Sequence, residues 1–356
     1  MLNFTVGPVM STESVRLVGA KQTPYFRNEE FSKVMFENEM LMKKFAHASD
    51  DSRVIFITGS GTASMEAIVM NVYTKNDKVL VVNGGGFGQR FVDLCKLHEI
   101  PYEEINPNWG EDIAEETLNQ YSNKGFTSFL VNICETSSGV LYDLNLISAF
   151  CKKNGLLLVV DAISSFLADP ISMIEQNIDV LLTGSQKALA CPPGVSIIVL
   201  NKKALERVES NTSKSMYLDL KNALKNGERG QTPFTPAVTT LLQINTRLNE
   251  IKSQGGVESE INKVSTLAND FRERIKNLPL KIKCKHMGNA VTAVYCSSPH
   301  IIVDTLKNEY SIWVNPSGGE IGEKMFRVGH IGDLTLEDNT KLIQALHDLE
   351  NRGILK

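Results

Sequence analysis

Six short runs of apolar residues are spaced along the first two thirds of the chain. They are rich in Val, Ile and Leu and show no polar alternation, which is typical of strands buried on both faces of a sheet. The runs lie at residues 54–57, 79–82, 128–133, 156–160, 180–182 and 195–200. Helical spacing appears between them, as in the single apolar stripe formed by Met65, Ile68, Val69, Val72 and Tyr73. The repeated strand–helix order predicts an α/β fold, with a mostly parallel sheet covered by helices.

The pattern changes after about residue 250, where Gly255 and Gly256 interrupt it. A charged helix is predicted over residues 257–278. The later elements expected are strands near 280–284 and 290–296, a helix near 300–309 and a terminal helix over 336–351. This order predicts a second, smaller α+β domain.

Composition and charge exclude several classes of function. Of the 356 residues, 42% are hydrophobic and 22% charged, a balance typical of globular proteins. The net charge of -4, without a long basic run, gives no electrostatic support for binding nucleic acid or an anionic membrane. No signal peptide and no apolar run of about 20 residues is visible, so no membrane span is predicted. The six cysteines form no C-x-x-C pair and the histidines lack ligand spacing, which predicts reduced thiols in a cytoplasm and no metal site.

Ligands of open α/β sheets bind at the carboxyl ends of the strands, so the residues that follow each run are the candidates for a site. Residues 58–62 (Thr-Gly-Ser-Gly-Thr) follow the first run and precede the striped helix. Glycines that allow close approach and the N–H groups of a helix N-terminus favour a phosphate site. An ordinary turn with a Ser/Thr cap is the alternative. A dinucleotide site is weakened, because Ser64 replaces the third glycine of that motif and Asn83 replaces the ribose-binding acid.

Two ionisable residues follow neighbouring strands of the predicted sheet. Asp161 ends the 156–160 run, and a carboxylate there needs a partner such as a protonated pyridine nitrogen. A helix N-cap or a structural salt bridge is the alternative. Lys187 is followed by Ala188 and Leu189, and an apolar setting lowers a lysine pKa, so that the free amine can form a Schiff base with an aldehyde. A surface lysine is the alternative. Both residues are expected at the same edge of the sheet.

Three further segments carry candidate side chains. The glycine-rich segment 83–90 is expected to be a flexible loop that presents Phe87 for stacking on a planar ring, unless Phe87 is simply core. Residues 135–139 (Glu-Thr-Ser-Ser-Gly) offer hydroxyl donors after another strand. Arg327 lies in an apolar stretch, where an arginine needs either a substrate carboxylate or a structural ion pair.

These motifs together resemble the class V aminotransferases of fold-type I, in particular the alanine–glyoxylate, serine–pyruvate and 2-aminoethylphosphonate–pyruvate group. The most specific match is residues 185–189 (Ser-Gln-Lys-Ala-Leu) followed by Pro-Pro-Gly at 192–194. The resemblance covers almost the whole chain. Its other matching segments are 59–62, 83–90, 135–139, 160–162, 232–236 and 326–332.

The resemblance implies a role for each matching residue. Lys187 would form the internal aldimine with pyridoxal 5'-phosphate (PLP) and transfer the proton, with Asp161 on the pyridine nitrogen. Gly7 and Arg327 would bind the substrate. Segment 23–27 departs from the run typical of the alanine–glyoxylate branch, which leaves the substrate side chain open. The implied cofactor-binding residues are Ser60, Gly61, Thr62, Phe87, Thr136, Asp161, Gln186, Lys187 and, from a partner chain, Thr235.

The resemblance also implies the architecture and the reaction. We expect a seven-stranded, mostly parallel sheet domain over residues 16–253, a small domain over 254–356 and an N-terminal arm, 1–15, near the active site. A homodimer would move an amino group from a small donor to pyruvate or glyoxylate. A 2-aminoethylphosphonate donor, a PLP lyase or desulfurase, and a non-catalytic PLP-binding protein are the alternatives.

Overall fold

The computed structural model describes all residues from 1 to 356 and contains thirteen strands and twelve α-helices. The strands are β1 (Leu2–Phe4), β2 (Arg53–Thr58), β3 (Val79–Val82), β4 (Tyr102–Ile105), β5 (Ser128–Asn132), β6 (Cys134–Glu135), β7 (Val140–Leu141), β8 (Leu157–Asp161), β9 (Val180–Gly184), β10 (Val195–Leu200), β11 (Val291–Tyr295), β12 (Ile312–Pro316) and β13 (Met325–Gly329). The helices are α1 (Glu13–Gly19), α2 (Glu29–Phe45), α3 (Gly61–Val72), α4 (Gly86–Leu97), α5 (Glu115–Asn119), α6 (Leu144–Asn154), α7 (Lys202–Ser210), α8 (Leu220–Gly227), α9 (Val238–Ser253), α10 (Gly256–Arg274), α11 (Pro299–Tyr310) and α12 (Leu336–Asn351).

The large sheet has seven strands in the order β2-β10-β9-β8-β5-β3-β4. Only β10 runs antiparallel to its neighbours, so the predicted, mostly parallel sheet is confirmed. All six predicted runs form strands of this sheet. The seventh strand, β4, was not predicted, because its sequence Tyr-Glu-Glu-Ile belongs to a half-buried edge strand without a run of apolar residues.

Helices cover both faces of this sheet. Alternate residues of each central strand belong to different apolar clusters: Val131 and Val160 pack on one side, while Leu130 and Val159 pack on the other. The predicted stripe of α3 is buried in the second cluster, although the helix ends one residue before Tyr73. Burial on both faces explains why the strands read as continuous apolar runs.

A second, four-stranded sheet has the order β1-β12-β13-β11. Its first strand comes from the N-terminus, where residues 2–4 pair in parallel with β12. The strand expected near 280–284 is wrong: Leu280, Ile282 and Cys284 alternate with lysines as a strand would, but only Lys281 pairs, as an isolated bridge to Tyr295.

The chain break predicted at Gly255 and Gly256 separates α9 from α10, and both glycines have positive φ angles, of 106° and 82°. The helix predicted over 257–278 corresponds to α10 and a short 3-10 helix at Ile275–Asn277. The domain boundaries themselves stay a prediction. No helix in the structure combines the length and the apolar character that crossing a membrane requires.

Candidate active site

The polar segments singled out in the sequence follow strands of the large sheet that run in the same direction. Residues 58–62 follow β2, segment 83–90 follows β3 and residues 135–139 come shortly after β5. Asp161 is the last residue of β8, and Lys187 follows its parallel neighbour β9 by three residues. The predicted position of Asp161 and Lys187 at one edge of the sheet is therefore confirmed.

Lys187 is a buried amine, with 9% of the residue exposed. Its Nζ donates to the carbonyl oxygen of Val6. Burial lowers the lysine pKa to about 8, and the positive charge of Arg327 acts in the same direction, partly offset by Asp161 and Cys134. The side chain is thus no surface lysine, and about a tenth of it is an uncharged amine at pH 7, far more than for a lysine with the ordinary pKa of 10.5.

Gly7 leaves space for the lysine stem. Its φ of +123° is a conformation that side chains with a Cβ rarely adopt, and a Cβ there would lie 2.9 Å from Cδ of Lys187. The N-terminal segment therefore passes directly over the lysine.

Asp161 is a buried carboxylate without a cationic partner. Only 1% of the residue is exposed, and its two oxygens accept hydrogen bonds from Ile163 N and from Asn132 Nδ2, each at 2.9 Å. Burial raises the pKa of the carboxyl to about 6, against the effect of these hydrogen bonds. The residue forms no salt bridge and no helix follows it, so both alternatives drawn from the sequence are wrong.

The N-terminus of α3 lies in the 58–62 segment. Ser60 adopts an extended conformation and its side chain makes no capping hydrogen bond, so the alternative of a simple Ser/Thr cap is wrong for this residue. Gly61 packs against Ile163, where a Cβ would lie only 2.2 Å from Cδ1. Thr62 Oγ1 accepts a hydrogen bond of 3.0 Å from Nη1 of Arg90. The side chain of Ser60 therefore leaves the N-terminus of α3 uncapped, and this end of the helix lies close to the turn after Asp161.

Phe87 is the second residue of helix α4, rather than part of a flexible loop as expected. The physical reason is Glu135, a buried residue whose Oε2 accepts the N–H groups of Phe87 at 3.1 Å and Gly88 at 3.2 Å. Its other oxygen accepts from the backbone N–H and the hydroxyl of Ser137. A carboxylate from a different strand thus fills the N-terminus of α4 and fixes the aromatic residue.

Arg327 lies in β13 and donates to two backbone carbonyls, Thr136 O at 3.2 Å and Pro316 O at 2.9 Å. Its Nε is buried without a hydrogen-bond acceptor. Burial lowers the pKa of the guanidinium, and the negative charge of Glu135 partly offsets this. No carboxylate forms a salt bridge with it, so the alternative of a structural ion pair is wrong. An arginine with an unused buried donor beside a low-pKa lysine is suited to an anionic ligand.

The remaining predicted residues take different positions. Thr136 is buried, and its carbonyl oxygen accepts a hydrogen bond from Arg327. Gln186 is half-buried and lies against Gly184. Thr235 is exposed on the outside of the single chain, so this chain's own fold does not bring it to the site.

The sequence predicts no role for Arg90, Asn132 or Glu135, although the first and last of these lie in the candidate segments 83–90 and 135–139. Each of them acts through a hydrogen bond to a residue 28 to 48 positions away in the chain. Asn132 ends a buried strand beside Asp161, and this position at the carboxyl edge is the one signal that could have identified it.

The residues at this edge fit PLP. The lysine amine can attack an aldehyde, and the buried Asp161 lacks the cation that a protonated pyridine nitrogen would supply. The N-terminus of α3 can bind a phosphate, whereas that of α4 is already filled by Glu135.

Comparison with known proteins identifies the family. The model of the family described as Aminotransferase class-V matches residues 17–311. The chain belongs to the class-V aminotransferases. An uncharacterized aminotransferase of Methanocaldococcus jannaschii is 30% identical over 337 residues, which cover 92% of this chain and 86% of the relative. Class-V aminotransferases depend on PLP, so this chain is a PLP-dependent aminotransferase.

Two further relatives carry more specific names. A 2-aminoethylphosphonate–pyruvate transaminase of Phocaeicola vulgatus is 28% identical over 359 residues, covering 97% of this class-V chain and 98% of the relative. The crystal structure of an alanine–glyoxylate aminotransferase from Nostoc sp. matches with a TM-score of 0.92 at 25% identity, covering 98% of this chain and 94% of that one. The predicted fold-type I architecture is confirmed by this match.

Proposed function

We propose that this aminotransferase moves an amino group from a small amino acid, of the alanine or serine type, to pyruvate or glyoxylate. The observation that carries the proposal concerns Arg327. Its buried Nε has no hydrogen-bond acceptor, and its positive charge helps to lower the pKa of Lys187. A guanidinium forms paired hydrogen bonds with a carboxylate. The carboxylate of the donor or the acceptor supplies the anion that this arginine lacks.

The cofactor would be held by residues at the ends of five strands, β2, β3, β6, β8 and β9. Ser60, Gly61, Thr62 and Gln186 would bind the phosphate at the N-terminus of α3. Asp161 would keep the pyridine nitrogen in its protonated form. Phe87 would stack on the ring, and Thr136 would face the ring hydroxyl.

When bound, PLP supplies the electron sink that makes the α-proton of the donor acidic. Lys187 would hold the cofactor covalently and, once released, would take this proton on Nζ; its ammonium would then be the acid that returns the proton to the cofactor carbon. A pKa of about 8 suits this work, because the amine is uncharged often enough to accept a proton and basic enough to remove one. Gly7 keeps the path of the lysine stem open, and its backbone lies beside the bound substrate.

A 2-aminoethylphosphonate donor is the second candidate. Its support is the Phocaeicola vulgatus transaminase, which matches over nearly the full length of both chains. A phosphonate is also an oxyanion that a guanidinium can bind. In this case Arg327 would bind the phosphonate of the donor and the carboxylate of pyruvate in turn.

A donor–acceptor matrix tests the proposal. Alanine, serine, aspartate and 2-aminoethylphosphonate are each paired with pyruvate or glyoxylate (alanine only with glyoxylate), and the new amino acid is measured by chromatography. The proposal expects alanine or serine to give the highest kcat/KM. If 2-aminoethylphosphonate exceeds both by tenfold or more, the second candidate replaces the first. If no donor reacts although PLP is bound, both assignments fail.

We also propose a homodimer. Thr235 is exposed in the single chain, beside the stacked rings of Tyr217 and Phe234, whose centroids are 5.5 Å apart. Tyr25 and Met216 are further large apolar side chains that a single chain leaves exposed. Burying such residues is a common reason for association, and it would bring Thr235 to the cofactor phosphate of the partner. Light scattering after size-exclusion chromatography measures the mass.

A cytoplasmic location is proposed as well. None of the six cysteines forms a disulfide bond, and five of them are buried. Free thiols are typical of a reducing compartment.

A further inference from the structure

We infer that Arg90 is a positioning residue for the cofactor phosphate, one that holds the phosphate-binding and ring-stacking parts of the site in a fixed relation. The inference rests on the proposed position of the cofactor. It concerns a residue that belongs to neither the lysine and aspartate pair nor the 58–62 segment.

Arg90 connects two helices that begin at the edge of the sheet. It lies in the second turn of α4, and its Nη1 donates to Oγ1 of Thr62, the second residue of α3, at 3.0 Å. The same guanidinium lies over the ring of Phe87, with its central carbon 5.0 Å from the ring centroid. One planar cation therefore contacts both a proposed phosphate ligand and the proposed stacking ring.

The hydrogen bond from Arg90 determines what the hydroxyl of Thr62 can do. A hydroxyl has one proton to donate and lone pairs that accept. Because the guanidinium can only donate, Thr62 must accept in this contact, and its own proton remains available for another oxygen. Arg90 thereby prepares Thr62 as a donor at the N-terminus of α3, where an anion is favoured.

The charge of Arg90 also lacks a carboxylate partner. Several other partly or fully buried arginines are paired with a carboxylate: Arg53 with Glu39, Arg207 with Asp77 and Arg247 with Glu260. Arg90 instead donates a hydrogen bond to the neutral Thr62 hydroxyl and lies over the Phe87 ring. A cation beside the positive end of a helix dipole adds to the same potential. A bound phosphate would offset both charges.

The test compares the affinities of the cofactor-free protein for PLP and for pyridoxal, which lacks the phosphate. The variants are Arg90→Met, which keeps an unbranched stem, and Arg90→Lys, which keeps the charge without the planar fork. Lys96→Met is the matched control, a basic residue in the last turn of the same helix. Dissociation constants come from the change in absorbance or in protein fluorescence on titration, so the readout does not depend on turnover.

We expect Arg90→Met to weaken PLP binding at least about tenfold, the loss typical of a charge-assisted hydrogen bond. Pyridoxal binding should change less than about threefold, since it lacks the anion. Arg90→Lys should fall between the wild type and Arg90→Met, and Lys96→Met should match the wild type. In a Thr62→Val background, Arg90→Met should cost clearly less than in the wild type, because the hydroxyl that it prepares is gone.

Equal weakening of PLP and pyridoxal would overturn the inference and make Arg90 a purely structural residue. So would unchanged PLP affinity in Arg90→Met. If that variant fails to fold, as judged by its circular dichroism, Arg90→Lys decides by the same ratio of the two affinities. Failure of the proposed function is distinguishable, because the donor–acceptor matrix tests it by turnover, whereas these affinities are measured on the cofactor-free protein without any amino donor.

Discussion

Replacing Asp161 with Asn should stabilise the cofactor-free protein at pH 8 while it weakens PLP binding. Burial raises the pKa of this carboxyl from its ordinary 3.8 to about 6, so the folded protein binds the proton more strongly than the unfolded chain does. Ionisation of Asp161 therefore opposes folding. Its cost is absent below about pH 4, grows between about pH 4 and 6 and is complete above about pH 7.

The magnitude follows from the two pKa values. Their difference corresponds to about 3 kcal/mol of unfolding free energy at pH 8. An asparagine can keep both local hydrogen bonds: its Oδ1 accepts from Ile163 N, and its Nδ2 faces Asn132, whose own Oδ1 is buried without a partner and becomes available when that amide rotates. The variant should therefore gain up to about 3 kcal/mol over the cofactor-free wild type. It should lose about 1.5–3 kcal/mol of PLP binding, the range for a hydrogen bond to a charged group.

Denaturant titrations of both cofactor-free proteins between about pH 3 and 8 measure the difference. Asp77→Asn is the control of opposite sign. Burial raises the pKa of Asp77, but hydrogen bonds from Thr74, Thr127 and Arg207 outweigh this and lower it. That variant should lose stability above about pH 4, and the loss should fade at lower pH. The reasoning is refuted if Asp161→Asn is less stable than the wild type at pH 8, or if the difference does not vary with pH.

Three further predictions concern the rest of the site. PLP should attach to the cofactor-free protein faster as the pH rises, at half the maximal rate near pH 8 and with a plateau above about pH 9, where Lys187 has lost its proton; a rate independent of pH, measured by stopped-flow absorbance, would contradict this. Arg327→Met should raise the KM for the donor about 10- to 100-fold and leave PLP affinity unchanged, whereas Arg229→Met, an exposed control, should change neither. Glu135→Gln should weaken PLP binding through loss of one acceptor for the N–H groups at the start of α4, and fluorescence titration showing wild-type affinity would refute that role.

The sequence is sufficient to locate Asp161 and Lys187, the two ionisable residues at the centre of the site. The strand that ends at Asp161 and the strand that precedes Lys187 are buried on both faces, so their apolar runs are unambiguous and the polar residues that follow them are readily identified. Parallel order then brings the two residues to one edge. The glycine and hydroxyl residues at 58–62 are likewise found by their place between a strand and a striped helix.

What the sequence does not reveal is pairing between distant residues. The start of α4 is hidden in a glycine-rich run, because its N-terminal N–H groups are satisfied by Glu135, 47 and 48 residues further on. The bond from Arg90 to Thr62 joins two helices and has no local pattern. Strand β4 is not predicted from the sequence, because an edge strand does not need an apolar run.

The central claim is that Lys187 carries the cofactor. The purified protein is treated with borohydride in the presence of PLP, digested and analysed by mass spectrometry. The account predicts a pyridoxyl phosphate group on the peptide that contains Lys187, and none in the Lys187→Ala variant. A cofactor fixed to a different lysine, or no modified peptide at all, would contradict it.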